Sequence, residues 1–197
     1  MKAYIGFGSP DIENVCSLAG DFRPLIPEIV TCFYDVLLAH PAARAVIEGS
    51  GHVVSELRKT QEQWLNELFD GHYDETYYQK RINIGVVHVR VGLEQRFMIL
   101  GMELIWHEAV RLLSGVGISA IDAKLRSLHK LLMLDLTIML ESYKHGYSEQ
   151  IRSAERSAVA EKLTRAEHLA EIGQLAASLA HEIKNPLAGI SGAIQII

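Results

Sequence analysis

The chain has 197 residues, 49% of them hydrophobic and 22% charged, so it can bury a core without disulfide or metal staples. Its formal net charge of −5, with no basic cluster, argues against a nucleic-acid partner. Two cysteines, Cys16 and Cys32, have neither metal-type spacing nor a disulfide framework, so buried free thiols in a reducing compartment are expected. The longest apolar run, near 97–106, is interrupted by Glu103 and falls short of the ~20 residues a membrane span requires. The apolar part of MKAYIGFGSPD is too short for a signal peptide. A cytoplasmic chain with no membrane partner is the expectation. Prolines stand only at 10, 24, 27, 41 and 186, and strand-type alternation is scarce, so the fold class is expected to be all-α.

Ser9 as cap, Pro10 in the first turn, and Asp11 and Glu13 near the positive end predict a short helix to about Leu18, stopping at Gly20. Pro24 and Pro27 open a second helix, PEIVTCFYDVLLAH, with Ile29, Val30, Phe33, Val36 and Leu37 inward. Pro41 ends it and begins a short helical turn, PAARAVI. After the EGSGH loop, a helix over about 52–69 places Val53, Leu57, Trp64, Leu65 and Leu68 inward, with Thr60 on the face of Leu57, and Asp70-Gly71 closes it.

The stretch 73–98, YDETYYQKRINIGVVHVRVGLEQRFM, is centred on His88. Ile84, Val87 and Val91 would form an apolar wall beside the imidazole, and Gly85 and Gly92 remove side chains on either side. An axial haem ligand needs such surroundings; a core histidine bonded to a carbonyl is the alternative. Gly92 separates this helix from one over 93–113, with Leu93, Phe97, Leu100, Leu104 and Val110 inward. The SGVG turn follows. From Ile118 onward, Ile121, Leu125, Leu128, Leu132, Leu136, Met139 and Tyr143 recur at spacings of four and three, and Leu131, Leu134 and Ile138 form a second apolar line. Two lines are more apolar surface than a monomer usually exposes, which predicts a helical dimer interface; a deeply buried helix in a monomer is the alternative.

Beyond Tyr147 the composition turns polar and alanine-rich. Val159, Leu163, Ala166 and Ala170 make one heptad line, and Leu169, Ile172, Ala176, Leu179 and Ile183 another in shifted register. This predicts a coiled coil whose winding changes locally, as against a solvated single-helix spacer. The final segment, SLAHEIKNPLAGISGAIQII, carries His181, Glu182, Asn185 and a kinking Pro186.

Phe33-Tyr34, LRKTQEQWL, Gly71-His72-Tyr73-Asp74, Arg81, Ile84-Gly85, His88 and Gly92-Leu93 together resemble the sensor globins of globin-coupled sensors. The resemblance covers about residues 1–150. It implies a globin fold holding haem b, with His88 as proximal iron ligand, Tyr34 as the distal residue facing bound gas, and Leu57 and Thr60 lining the pocket. Phe33, Ile84, Val87, Val91 and Phe97 are further candidates for haem contact. O₂ is the expected ligand, because a phenol can donate to its partial negative charge, with CO and NO also able to bind.

LAHEIKNPL resembles the phospho-acceptor box of sensor histidine kinases, over about residues 170–197 only. The resemblance implies that His181 is the phospho-acceptor, that Glu182 orients or deprotonates its ring, and that Asn185 holds the position linked to dephosphorylation. The second helix of the dimerisation hairpin and the ATP-binding domain do not follow, so this chain is expected to be a truncated kinase that cannot phosphorylate itself.

The expected organisation is a sensor globin domain over 1–150, a coiled-coil signalling linker over 151–175 and the start of a kinase dimerisation domain over 176–197. The function expected is a gas sensor that regulates a histidine kinase, with a response regulator as partner of the full-length protein. The homodimer would form through the helices 93–113 and 118–143 and the coiled coil. Movement of His88 would cross the joint at Gly92-Leu93 to reach that interface. The competing readings are a haem redox sensor, a haem dioxygenase or peroxidase, and a haemless helical interaction domain.

Overall fold

The structure is a computed structural model. It describes the backbone of residues 1–194 and the side chains of 1–144, 152, 155–166, 168–172, 174–175 and 179. Every regular element among the described residues is helical: α1 (Ser9–Ser17), α2 (Ala19–Phe22), a 3₁₀ turn (Arg23–Leu25), α3 (Ile26–Ala39), α4 (Pro41–Gly49), α5 (Val54–Glu67), α6 (Glu75–Arg90), α7 (Gln95–Leu113) and α8 (Ile121–Ile194). The chain divides into two units, Met1–Tyr147 and Ser148–Ile197.

The first unit is built around α3, which packs on both α5 and α7. Ile26, Ile29, Val30 and Tyr34, at helical spacing, bury one face of α3, joined in the core by Phe22, Trp64, Leu65, Leu68, Met102, Ile105, Leu113 and the Leu128–Tyr143 stretch of α8. Pro27 sits within the first turn of α3, where its missing N–H costs nothing. At α1 the cap is Gly8 and not Ser9. The Asp11 carboxylate accepts the Gly8 N–H at 3.0 Å, a reach from the third helical residue that an N-terminal serine would not supply. Gly20 lies inside α2, and the break comes earlier, between the end of α1 at Ser17 and the start of α2 at Ala19.

Several faces differ from the sequence reading. On α7 the buried residues are Gly101, Met102, Ile105, Ala109 and Leu113, while Leu100 is 58% exposed and Val36 on α3 is 49% exposed. Near 97–106, apolar residues surround much of the helix, so periodicity alone cannot choose the inward line. On α8 both apolar lines are buried within the single chain, Leu131, Leu134 and Ile138 included. The surplus line predicted to make a dimer contact is thus core, because α8 is enclosed on more than one side. His129 is half-buried with its ring 4.8 Å from that of Trp106.

In the second unit, Val159, Leu163, Leu169, Ile172, Leu175 and Leu179 are each 49–68% exposed along α8. No single helix among the described residues is long and apolar enough to cross a membrane.

Candidate functional site

The α6 helix begins at Asp74, whose carboxylate accepts the Tyr77 N–H at 3.0 Å. It ends in a left-handed glycine, Gly92 (φ +73°), with the Gly92 N–H bonded to the Val89 carbonyl and the Leu93 N–H bonded to the His88 carbonyl, each at 3.0 Å. This doubly bonded helix end anchors the main chain of His88 itself. Nδ1 is fully buried without a hydrogen-bond partner, and burial pushes the imidazole below its ordinary pKa, with the Ile84 carbonyl pulling the other way. A ring kept neutral, with one nitrogen shut away from water, is suited to bind a metal through the other.

Apolar residues flank the ring. Ile84 is half-buried against the core, Val91 is half-buried and Val87 is 44% exposed. On α5, Leu57 is half-buried against the core, and Val53, the extended residue that precedes the helix, is 60% exposed. Thr60 is exposed, and its hydroxyl donates to the Glu56 carbonyl of its own helix at 3.0 Å. Phe97 on α7 is half-buried, with its ring 5.7 Å from that of His40.

Tyr34 is buried on α3 beside Phe33, whose ring meets it edge-on at 5.3 Å and also lies 3.2 Å from where a Cβ at Gly101 would stand. Burial pushes the Tyr34 phenol up to about 12, so it stays a donor across the physiological range; the Arg58 guanidinium acts in the opposite sense. Arg58 lies over the Tyr34 ring, 5.1 Å from its centre, and is held there by Asp35 at 3.3 Å. Arg58 was not among the sequence-derived candidates. Its only signal was a charge next to Leu57 on a half-buried helix.

These features fit an iron porphyrin. The half-buried imidazole on α6 supplies a nitrogen of the right chemistry, and the buried phenol lies on α3. The chain leaves Val53, just before α5, and Val87 on α6 uncovered, while Leu57 and Val91 are half-buried. No group of three or more His, Cys, Asp or Glu side chains among the described residues could hold a bare metal ion. A hollow of about 530 Å³ lined by Trp106, Leu125, His129 and Lys130 shares none of these residues.

A second constellation was missed at the sequence level. Asp135 of α8 is fully buried and accepts Trp64 Nε1 at 2.9 Å, Tyr77 Oη at 2.7 Å and Arg81 Nε at 2.8 Å. Burial pushes the Asp135 carboxyl up while Arg81, Tyr77 and Trp64 pull it down. With three donors already aimed at it, one of them cationic, it is held as a carboxylate. Arg81 is equally buried, pairs further with Glu67 at 2.8 Å and packs over the Tyr77 ring at 3.9 Å. A lone aspartate in the apolar run LLMLDLTIML was the available signal, since a buried charge demands a partner.

The side chains of His181, Glu182 and Asn185 lie outside the described residues.

Residues 171–197 match the model of the His Kinase A (phospho-acceptor) domain. The "Heme-based aerotactic transducer HemAT" of Halobacterium salinarum (strain ATCC 700922 / JCM 11081 / NRC-1) is 25% identical over 161 residues, covering 75% of this chain, and the chain spans about a third (33%) of that relative's length. Among solved structures, the globin domain of a Geobacter sulfurreducens globin-coupled sensor aligns with a TM-score of 0.65 and 28% identity, covering 72% of this chain and 94% of that one. The helical fold is therefore globin-like. Residues 1–149 match the Protoglobin model, so the chain belongs to the protoglobin family and continues into a histidine-kinase phospho-acceptor segment.

Proposed function

We propose that the chain is a haem-based gas sensor that regulates a histidine kinase through a ligand-dependent change at a helical dimer interface. Residues 1–150 form the sensor, 151–175 the signalling linker and 176–197 the start of the dimerisation and phospho-acceptor domain. The observation that carries the reading is the His88 imidazole, its Nδ1 shut away from water, on a helix whose end is bonded to the His88 carbonyl.

His88 would hold haem b through a ring nitrogen, its main chain fixed by the hydrogen bond from the Leu93 N–H. Phe33, Leu57, Ile84, Val87, Val91 and Phe97 supply apolar contact and exclude water, with Thr60 further along the face of Leu57. When bound, the haem iron supplies reversible coordination of a diatomic gas. Tyr34 donates its phenolic proton toward that gas, which favours O₂ over the less polar CO. Arg58 above the ring withdraws charge from the phenol and strengthens it as a donor.

The apolar series Val159, Leu163, Leu169, Ile172, Leu175 and Leu179, exposed along one helix, supports pairing with a second copy through a coiled coil. The exposed Leu100 and Ile99 support a contribution from α7. At the end of α8, His181 is the phospho-acceptor, Glu182 orients its ring and Asn185 serves dephosphorylation, with a response regulator receiving the phosphoryl group.

The visible spectrum of the purified protein tests the reading. A Soret band is expected, lost in His88→Ala and shifted by O₂ and by CO. A protein that stays colourless after addition of haem refutes it.

A further inference from the structure

Nothing in gas binding uses the Arg81–Asp135 pair, yet both side chains are among the most deeply buried in the molecule. Their place in the fold gives them a role. Arg81, Gly85 and His88 are spaced four and three along α6, so they share one face. Asp135, Met139 and Ser142 are spaced four and three along α8 and share another. These two faces meet.

The meeting is close and polar. A Cβ at Gly85 would fall 2.2 Å from the Met139 carbonyl oxygen and 2.7 Å from Ser142 Oγ, so the helices touch backbone to backbone. Ser142 Oγ donates to the Ile82 carbonyl at 3.0 Å. One turn further back, Arg81 and Tyr77 both donate to Asp135. An apolar contact tolerates sliding of one helix along another. A buried ion pair adds little stability over an apolar pair of equal size, but its directional bonds accept one register only.

We propose that Arg81 and Asp135 are positioning residues for His88: they lock α6 to α8 in one register, so α8 sets the place of the imidazole and takes up its displacement directly, without passing through the Gly92-Leu93 joint and α7. The inference rests on His88 being the ligand-binding histidine. It makes α8, which runs on to Ile194 within the phospho-acceptor match, the immediate receiver of the signal.

The test uses the full chain. The double variant Arg81→Met, Asp135→Leu removes the directional bonds and restores apolar volume. Arg81→Lys, which keeps the charge and loses the fork, serves if the double variant does not fold. Lys130→Met, Asp11→Leu removes the pin between α1 and α8 and is the control. In the haem-free protein, the ¹⁵N resonances of the His88 ring are expected to move in the Arg81 and Asp135 variants and to stay in the control. In the haem-loaded ferrous protein, the iron–histidine stretching band is expected to shift. The CO-dependent change in amide exchange over 131–143 is expected to fall by about fivefold or more, with that over 97–113 kept. Folded variants with wild-type His88 resonances and an unchanged exchange response overturn the proposal. If the wild-type chain takes up no haem, the gas-sensor reading fails on its own, and the ring resonances of the haem-free protein still decide the positioning role.

Discussion

Replacing Gly85 by alanine sets two effects of opposite sign against each other. In an exposed helix the change stabilises, because alanine is about 1 kcal/mol better than glycine in a helix interior. At this position the new Cβ lands 2.2 Å from a main-chain carbonyl oxygen, 2.7 Å from Ser142 Oγ and 2.9 Å from the Met139 carbonyl carbon, where ordinary contact begins at 3.4 Å. The serine hydroxyl can rotate away. The carbonyl cannot, since it belongs to the α8 backbone. The helices must therefore part, breaking the bond from Ser142 to Ile82 and loosening the Arg81–Asp135 pair one turn away. Overpacking of this kind costs about 1–3 kcal/mol, occasionally more, and a rigid obstacle puts the cost at the upper end. Destabilisation wins by about 2 kcal/mol, which lowers the melting temperature of a domain of this size by about 4–8 °C. Because the second unit is helical too, fluorescence of Trp64 and Trp106 should follow the melt in place of total helicity. A variant as stable as the wild type, or more stable, would refute the close contact of α6 and α8.

Three further outcomes are expected. Tyr34→Phe removes one hydrogen bond to bound O₂, worth about 0.5–1.5 kcal/mol, so O₂ release in stopped-flow should quicken by roughly 2- to 13-fold while CO release changes little; equal rates would remove Tyr34 from the distal role. Trp64→Phe deprives Asp135 of one of its three donors and also removes part of the indole volume from the core, and should cost about 2 kcal/mol or more in urea denaturation. For Asp11, burial pushes the carboxyl up, but the Gly8 N–H, Lys130 and Ser127 outweigh it and leave the folded group below 3.8. A depressed carboxylate gives stability that is present above the unfolded pKa and is lost as pH falls through the folded one. Wild type and Asp11→Asn should therefore differ in stability at pH 6 and converge as the pH falls below 3.8; a gap that persists in acid would show that the charge is not its source.

The buried pair also bears on why sequence reading placed the signal route in α7. Along the chain, His88 is followed by Gly92-Leu93 and then α7, so the covalent path suggests the mechanical one. In the fold, the face of α6 that carries His88 rests on α8, some fifty residues downstream. Arg81 entered the sequence reading only as one piece of the globin resemblance, and Asp135 was not singled out. Only their pairing, with Trp64 and Tyr77, explains why both are fully buried.

The sequence by itself determined the local structure. Proline placement, helical periodicity and the left-handed glycines at 71 and 92 dictate an all-helical chain and mark its joints, because these depend on near neighbours. The candidate residues His88, Tyr34 and His181 could be singled out because each lies in a short stretch that resembles a known family's motif, and their roles are those proposed above. Tertiary structure alone decided which apolar line of α7 and α8 turns inward, since a helix that is apolar on several sides has no unique face until neighbours close around it. It also decided that Leu131, Leu134 and Ile138 belong to the core, and that Gly85 is glycine because another backbone passes where its side chain would be. Contacts between residues far apart in the chain depend on how whole helices cross, and no local pattern encodes that.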